Sequence, residues 1–333
     1  MIEFSLIIFS LVIIYLINKY RNNIAQKTNL LDSPDRIRKL HKKKIPLLGG
    51  IMIFSSFILI NLYLIFFQEL TKTTFIIFIC SMFCLILGLI DDIKKVSYKY
   101  KFLALIIIFY LFANLDPYLQ INKIYFSTFD KEFYLNYLSI PFTILCLLLL
   151  TNSINLIDGI DGLCILISII FIIWLMIAFQ NAAQLYIVII TSLIYILYLN
   201  IRKNIFLGDS GSLFLGSLIG LNLILNYNLE ILKINYPVEN ILITLMLPGL
   251  DMLRVFIVRI INKKNPFSPD RIHLHHLLLN HKYGSGKILT IFFMIILLPI
   301  LINYFLNISK ILLIIIYILL YFFLVSILKK NYK

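Results

Sequence analysis

Five short stretches of the 333-residue chain carry side chains of the kinds that handle phosphates and metal ions. The first is GLIDDIKKVSYKYKF at 88–102, where Asp91-Asp92 is followed at once by Lys94, Lys95, Lys99 and Lys101. Adjacent carboxylates repel unless a cation sits beside them. Acids that hold a divalent ion, next to lysines that hold phosphates, suit a diphosphate site. The plainer alternative is an interfacial loop whose lysines meet anionic headgroups. The second stretch, TNSINLIDGIDGL at 151–163, repeats Asn155, Asp158 and Asp161 at three-residue steps, one face of a helix if it is helical. Gly159 and Gly162 weaken that helix, so a helix end opening into a polar turn is expected. The third, NIFLGDSGSLFLG at 204–216, sets Asp209 where an apolar run begins. There Asp209 could cap a helix or hold a metal that carries phosphate, and Phe206 could stack on a flat ring. The fourth, NPFSPDRIHLHHLL at 265–278, holds His273, His275 and His276 behind Asp270-Arg271. It lacks zinc spacing and a cysteine partner, so with Arg271 it reads as a donor set for phosphate or sugar hydroxyls. The fifth, DSPDRIRKLHKKKIPLLGG at 32–50, is as much a topogenic charge cluster as a site, His41 and the turn at Pro46…Gly49-Gly50 excepted.

The elements that must position these residues are membrane helices. Apolar residues make up 61% of the chain and charged ones 14%, whereas a soluble domain is about a quarter charged. Eleven apolar runs fit a bilayer crossing, at about 3–20, 47–67, 74–90, 102–115, 138–151, 163–180, 184–200, 212–227, 237–261, 288–306 and 311–328. The first lacks a basic n-region and a small-residue cleavage site, and so reads as an anchor with its N-terminus outside. Alternation from there puts 25 of the 30 Lys and Arg on the cytoplasmic side and five outside, with a cytoplasmic C-terminus. All five polar stretches fall on that cytoplasmic side, so the +14 net charge is a matter of membrane topology and phosphates rather than of nucleic acid. The expected fold is an all-α polytopic helical bundle forming a single membrane domain over 1–333. Cys80, Cys84, Cys146 and Cys164 read as small packing residues. The outer loop at 116–137 has room for a short hairpin, and Pro248-Gly249 should kink or break the ninth span.

The combination DD…NxxNxxDGxDGL…GDSGS…HxHH resembles the polyprenyl-phosphate N-acetylhexosamine-1-phosphate transferases, the MraY/WecA-like group of glycosyltransferase family 4. The motifs run in the family's order from residue 32 to residue 278. The PDRIHLHH loop is similar to the branch that includes WecA and the teichoic-acid initiator TagO. The peptidoglycan branch tends to carry three consecutive histidines, which Leu274 interrupts here, and the residues after Asp91-Asp92 also depart from relatives at Ile93-Lys94.

The resemblance implies transfer of a sugar-1-phosphate, usually from UDP-GlcNAc, to undecaprenyl phosphate or another polyprenyl phosphate. It implies release of UMP at the cytoplasmic face of a bacterial inner membrane, the start of a cell-envelope polysaccharide. It implies Mg²⁺, with Mn²⁺ as a substitute, membrane lipids as surroundings, and leaves room for a homodimer. By motif position Asp209 would bind the metal, supported by Asn155 and Asp158. Asp91, with Asp92 beside it, would be the base or orienter of the lipid phosphate. Asp161 and Phe206 would hold uracil, Lys95, Lys99 and Lys101 would neutralise phosphates, and Arg271, His273, His275, His276 and His41 would complete the substrate contacts. The rival readings are the phospho-MurNAc-pentapeptide transferase of the same family and, from another class, a secondary transporter. A transporter would place its acids at mid-membrane in two related halves. A prenyltransferase would want a DDxxD or DxxxD pair, which Ile93-Lys94-Lys95 does not supply.

Overall fold

Lipid gives a backbone no water to bond, so an apolar chain that crosses it closes its hydrogen bonds within helices. A computed structural model describes residues 2–33, 44–179, 183–234, 236–265, 271–306 and 308–330. The helices are α1 (Ile2–Lys19), α2 (Arg21–Thr28), α3 (Gly49–Phe66), α4 (Lys72–Lys94), α5 (Tyr98–Leu115), α6 (Ser139–Ile157), α7 (Leu163–Phe179), α8 (Ala183–Ile201), α9 (Gly208–Ile234), α10 (Val238–Ile261), α11 (Leu274–Asn280), α12 (Ser285–Phe305) and α13 (Lys310–Lys330). Among the described residues eight helices are long and apolar enough to cross a membrane, and a ninth span results if α1 and α2, bent by 70°, are taken together. α7 and the described apolar part of α8 are shorter. The eleven apolar runs of the sequence fall on eleven of these helices; α2 and α11 carry none.

The chain divides into two compact units. The first comprises Met1–Gln120 and Thr143–Asn226. In it α8 packs against α1, α3 and α7. Small hydroxyls let the helices approach: Ser192 Oγ donates to Ser56 Oγ at 2.9 Å on α3 and reaches Ser10 Oγ of α1 at 3.4 Å. An aromatic cluster of Phe54 and Phe57 on α3, Phe78 on α4 and Phe214 on α9 fixes those three helices together, with Phe214 edge-on to both α3 rings. Two short strands, β1 (Leu31–Asp32) and β2 (Ile45–Pro46), pair antiparallel before α3. Beyond β2, Leu47 bridges Phe206, and the first-turn N–H groups of Gly49 and Gly50 donate to Phe206 O and Leu207 O at 3.0 and 3.1 Å. The start of α3 is thereby tied to the segment leading into α9.

The second unit comprises Ile121–Phe142 and Tyr227–Lys333. The hairpin expected between spans four and five is present as β3 (Lys123–Phe126) and β4 (Lys131–Tyr134), antiparallel with Tyr125 opposite Glu132. Its turn is clamped by Glu239 on the first turn of α10. That fully buried carboxylate accepts from the N–H groups of Ser127 and Thr128 at 3.2 and 2.9 Å, and from both hydroxyls. α10 packs on α12 and α13, and α11 lies against the same two helices. α10 runs unbroken through Pro248-Gly249, so of the kink or break expected there the break is absent. Proline removes one N–H and its intrahelical bond, but packing on two neighbours keeps the helix continuous.

Candidate active site

Sequence adjacency makes Asp91-Asp92 look like a chelating pair, but helix geometry separates them. Both lie in the last turn of α4, where successive side chains point about 100° apart. Asp91 Oδ1 accepts the N–H of Val96 at 2.7 Å, which closes the turn after the helix around Lys95 in the left-handed region. Its Oδ2 meets the ammonium of Lys101 at 2.7 Å. α5 carries Lys101 one turn in from its start, and the same Nζ lies 2.7 Å from Asp209 Oδ2. Asp209 Oδ1 accepts from Asn155 Nδ2 at 3.0 Å, and Asn155 also donates to Ser212 Oγ at 2.8 Å. Asp91, Lys101, Asp209 and Asn155 thus form one charged chain drawn from α4, α5, α9 and α6.

Asp92 is turned to another task. Its two oxygens accept the N–H groups of Asp209 and Ser210 at 2.8 and 3.1 Å. These are first-turn donors with no intrahelical partner, so Asp92 caps α9 from a different helix and meets the positive end of its dipole. The capping role considered for Asp209 belongs to Asp92. Two glycines permit the approach: a Cβ on Gly88 would collide with the backbone of Ser210, and Gly208 adopts φ +76° with the Asp92 carboxylate against it.

The expected helix end at 155–162 is present. α6 stops at Ile157, a turn follows, and Gly162, at φ +84°, leads into α7. Asp158 is half-buried in that turn. Burial pushes its carboxyl well above the usual carboxylate range, and the charges of Asp209, Asp92 and Asp161 push it further the same way. Asp161 lies 3.6 Å from the exposed Lys203 ammonium. Phe206 is half-buried and holds the strand-like contact to Leu47. Of the three lysines singled out, Lys101 alone enters the acidic cluster; Lys95 and Lys99 are exposed.

No three Asp, Glu, His or Cys side chains among the described residues form a ready-made metal cage. The donor chemistry nevertheless fits a hard divalent cation: carboxylate oxygens of Asp209 and Asp91 already share a positive group, and Asp158, whose titration feels the charge of Asp209, offers further carboxyl oxygens.

The histidines belong to the second unit and form their own centre. His273 is 4% exposed; its Nδ1 lies 2.8 Å from Asp251 Oδ2, while Nε2 is buried without a partner. His275 stacks on it with ring centroids 5.7 Å apart, and both its nitrogens are buried and unpartnered. Burial and the neighbouring His276 hold its pKa well below the ordinary histidine value, against the pull of Asp251. His276 is half-buried at 4.2 Å from the His275 ring centre, and Arg271 is exposed. Asp251, Arg254 and Tyr321 were not singled out by motif. An acid and a base three residues apart in an apolar run are themselves a functional signal, whereas nothing in the local sequence marks Tyr321. His41 lies outside the described residues.

These features define a multi-pass helical membrane protein with a carboxylate–lysine centre at its helix ends, a class suited to handling phosphorylated ligands. Residues 74–226 match glycosyl transferase family 4, a segment that contains the whole acidic cluster. The chain is 30% identical over 329 residues to a probable undecaprenyl-phosphate N-acetylglucosaminyl 1-phosphate transferase of Bacillus subtilis, covering 96% of this chain and 87% of that one. It is 28% identical to an undecaprenyl-phosphate alpha-N-acetylglucosaminyl 1-phosphate transferase of Thermotoga maritima (80% and 78% covered), and 25% identical to that of Escherichia coli K12 (80% and 74%). The chain belongs to glycosyl transferase family 4.

Proposed function

We propose that the protein transfers N-acetylglucosamine-1-phosphate from UDP-GlcNAc to undecaprenyl phosphate at the cytoplasmic face, releasing UMP. The observation that carries this reading is the single chain Asp91–Lys101–Asp209–Asn155, assembled from four helices in a chain whose relatives bear that activity in their names. An oxygen of the lipid phosphate attacks the phosphorus bonded to the sugar, a new P–O–P bridge forms, and the bond to UMP breaks. Phosphoryl transfer depends on positioning and charge neutralisation, and this cluster offers both. Asp91, fixed by Val96 N–H and Lys101, orients the acceptor phosphate, which is already largely ionised at neutral pH. Direct attack is favoured over an aspartyl-phosphate because it needs no second displacement.

Mg²⁺, with Mn²⁺ as a substitute, would be held by Asp209 and Asp158 and would offset charge on the diphosphate. Lys101 neutralises phosphate from within the cluster, while Lys95, Lys99 and Arg271 act from exposed positions. Asp161 and Phe206 hold the uracil, and His273, His275, His276 and His41 are further substrate-binding residues. Purified protein with Mg²⁺, undecaprenyl phosphate and a panel of UDP-N-acetylhexosamines should release UMP with UDP-GlcNAc. Folded protein releasing none with any donor rejects the proposal, and an active Asp209→Ala enzyme rejects the assignment of Asp209.

A further inference from the structure

The second unit holds a buried polar knot of Asp251, Arg254 and Tyr321, to which the reaction described above assigns no role. Asp251, one turn after Pro248 on α10, has side-chain exposure of 5%, and Arg254 4%. Asp251 Oδ1 accepts three hydrogen bonds: from Arg254 Nη2 at 2.8 Å, from the Tyr321 hydroxyl of α13 at 2.8 Å, and from the N–H of Leu274 at 3.0 Å. Arg254 is locked in turn, donating from Nε to the Tyr321 oxygen at 2.7 Å and from Nη2 to Ile272 O at 2.6 Å. With Oδ1 fully engaged, Oδ2 is held toward His273 Nδ1. An ionised carboxylate only accepts, so the hydrogen in that contact belongs to Nδ1. That leaves Nε2, buried and without a protein partner, as the atom His273 presents.

We infer that Asp251 is a positioning residue of the transfer reaction: clamped by Arg254, Tyr321 and Leu274 N–H, it fixes the tautomer and plane of His273 and so keeps Nε2 a hydrogen-bond acceptor. The inference rests on the proposed function for the reaction that His273 serves, but its structural half does not. In Asp251→Asn the amide oxygen stays on the three donors that hold Oδ1. The amide nitrogen then faces His273 Nδ1, and a donor there forces the hydrogen onto Nε2. The substitution inverts the tautomer while changing almost no volume.

Two measurements test this. Nitrogen-15 spectra of histidine-labelled protein in detergent, with the His273 signals identified by their loss in His273→Gln, should show Nδ1 protonated in the wild type. They should show the Nε2–H form in Asp251→Asn. An Nε2–H tautomer in the wild type overturns the inference with no variant needed, so a variant that fails to fold does not shield it. With UDP-GlcNAc and undecaprenyl phosphate, Asp251→Asn should lower kcat at least about ten-fold, as loss of a correctly protonated group does. Asp251→Asn/His273→Gln should be no slower than His273→Gln alone, because the two residues act as one unit. Losses that multiply, in a wild type that turns over, overturn the positioning role alone. A wild type that releases no UMP while showing the Nδ1–H tautomer instead overturns the proposed function and the donor named here.

Discussion

At the scale of the single residue, the acidic cluster is a shared charge rather than a set of independent acids. Lys101 touches Asp91 and Asp209 at equal distances, so removing its ammonium leaves two carboxylates facing each other without compensation. Lys101→Met should therefore lose turnover by two orders of magnitude or more, roughly the cost of one charge-stabilising group. Its thermal unfolding temperature should also rise more steeply than wild type's as Mg²⁺ is added, since a cation that binds only the folded state stabilises it. Equal responses in the two proteins would show that the ammonium does not occupy cation-binding space. Lys95→Met and Lys99→Met, at exposed positions, should keep most of the activity in the same UMP assay. The residue types of this site were legible in the sequence, because acids and lysines at the ends of apolar runs are costly. Their division of labour was not. That Asp91 faces Lys101 while Asp92 caps α9 depends on helical phase and on which helix packs alongside.

At the scale of the element, the spacing of α4 and α9 is set by the absence of a side chain. Gly88→Ala would place a methyl on the Ser210 backbone, where no flexible group can yield. Overpacking of this sort costs about 1–3 kcal/mol, and here it would also lift the first turn of α9 off Asp92. The variant should unfold at lower temperature and lose activity together, whereas Gly249→Ala, with open space around the added methyl, should change neither by much. An active, stable Gly88→Ala would show that α4 and α9 need not touch for catalysis. The helices themselves were readable from hydropathy, and the hairpin from the length and aromatics of its loop. The persistence of α10 past Pro248 was not, since it turns on contacts with α12 and α13 that local propensity does not register.

At the scale of the whole molecule, orientation and pH response are open to measurement. The charge bias predicts Lys99 inside and Lys131 outside. Cysteines introduced at these exposed positions should react with an impermeant maleimide only from opposite faces of sealed vesicles, above the background of the four native thiols. Labelling of both from one face would refute the topology. His275 sets a stability slope. It stays neutral when folded, its pKa well below the ordinary value through burial, with His276, Asp251 and His273 as the titratable groups that face it. The unfolded chain takes up a proton there near pH 6.5 that the folded chain refuses. The stability it contributes is complete above that pH and falls by about 1.4 kcal/mol per unit as pH drops toward the folded value. Wild type should accordingly lose more unfolding temperature between pH 7 and pH 5 than His275→Phe does. The unbroken α10 bears on the slowest motions of the second unit. Glu239 and Asp251 are buried anchors twelve residues apart on one rod, about 18 Å at helical rise. Neither end of the stretch between them frays without releasing a carboxylate from its donors. Amide deuterium uptake from Glu239 to Asp251 should therefore occur in a single cooperative opening, slower than that of the exposed α13 face, and the hairpin turn should become labile only when that whole stretch does.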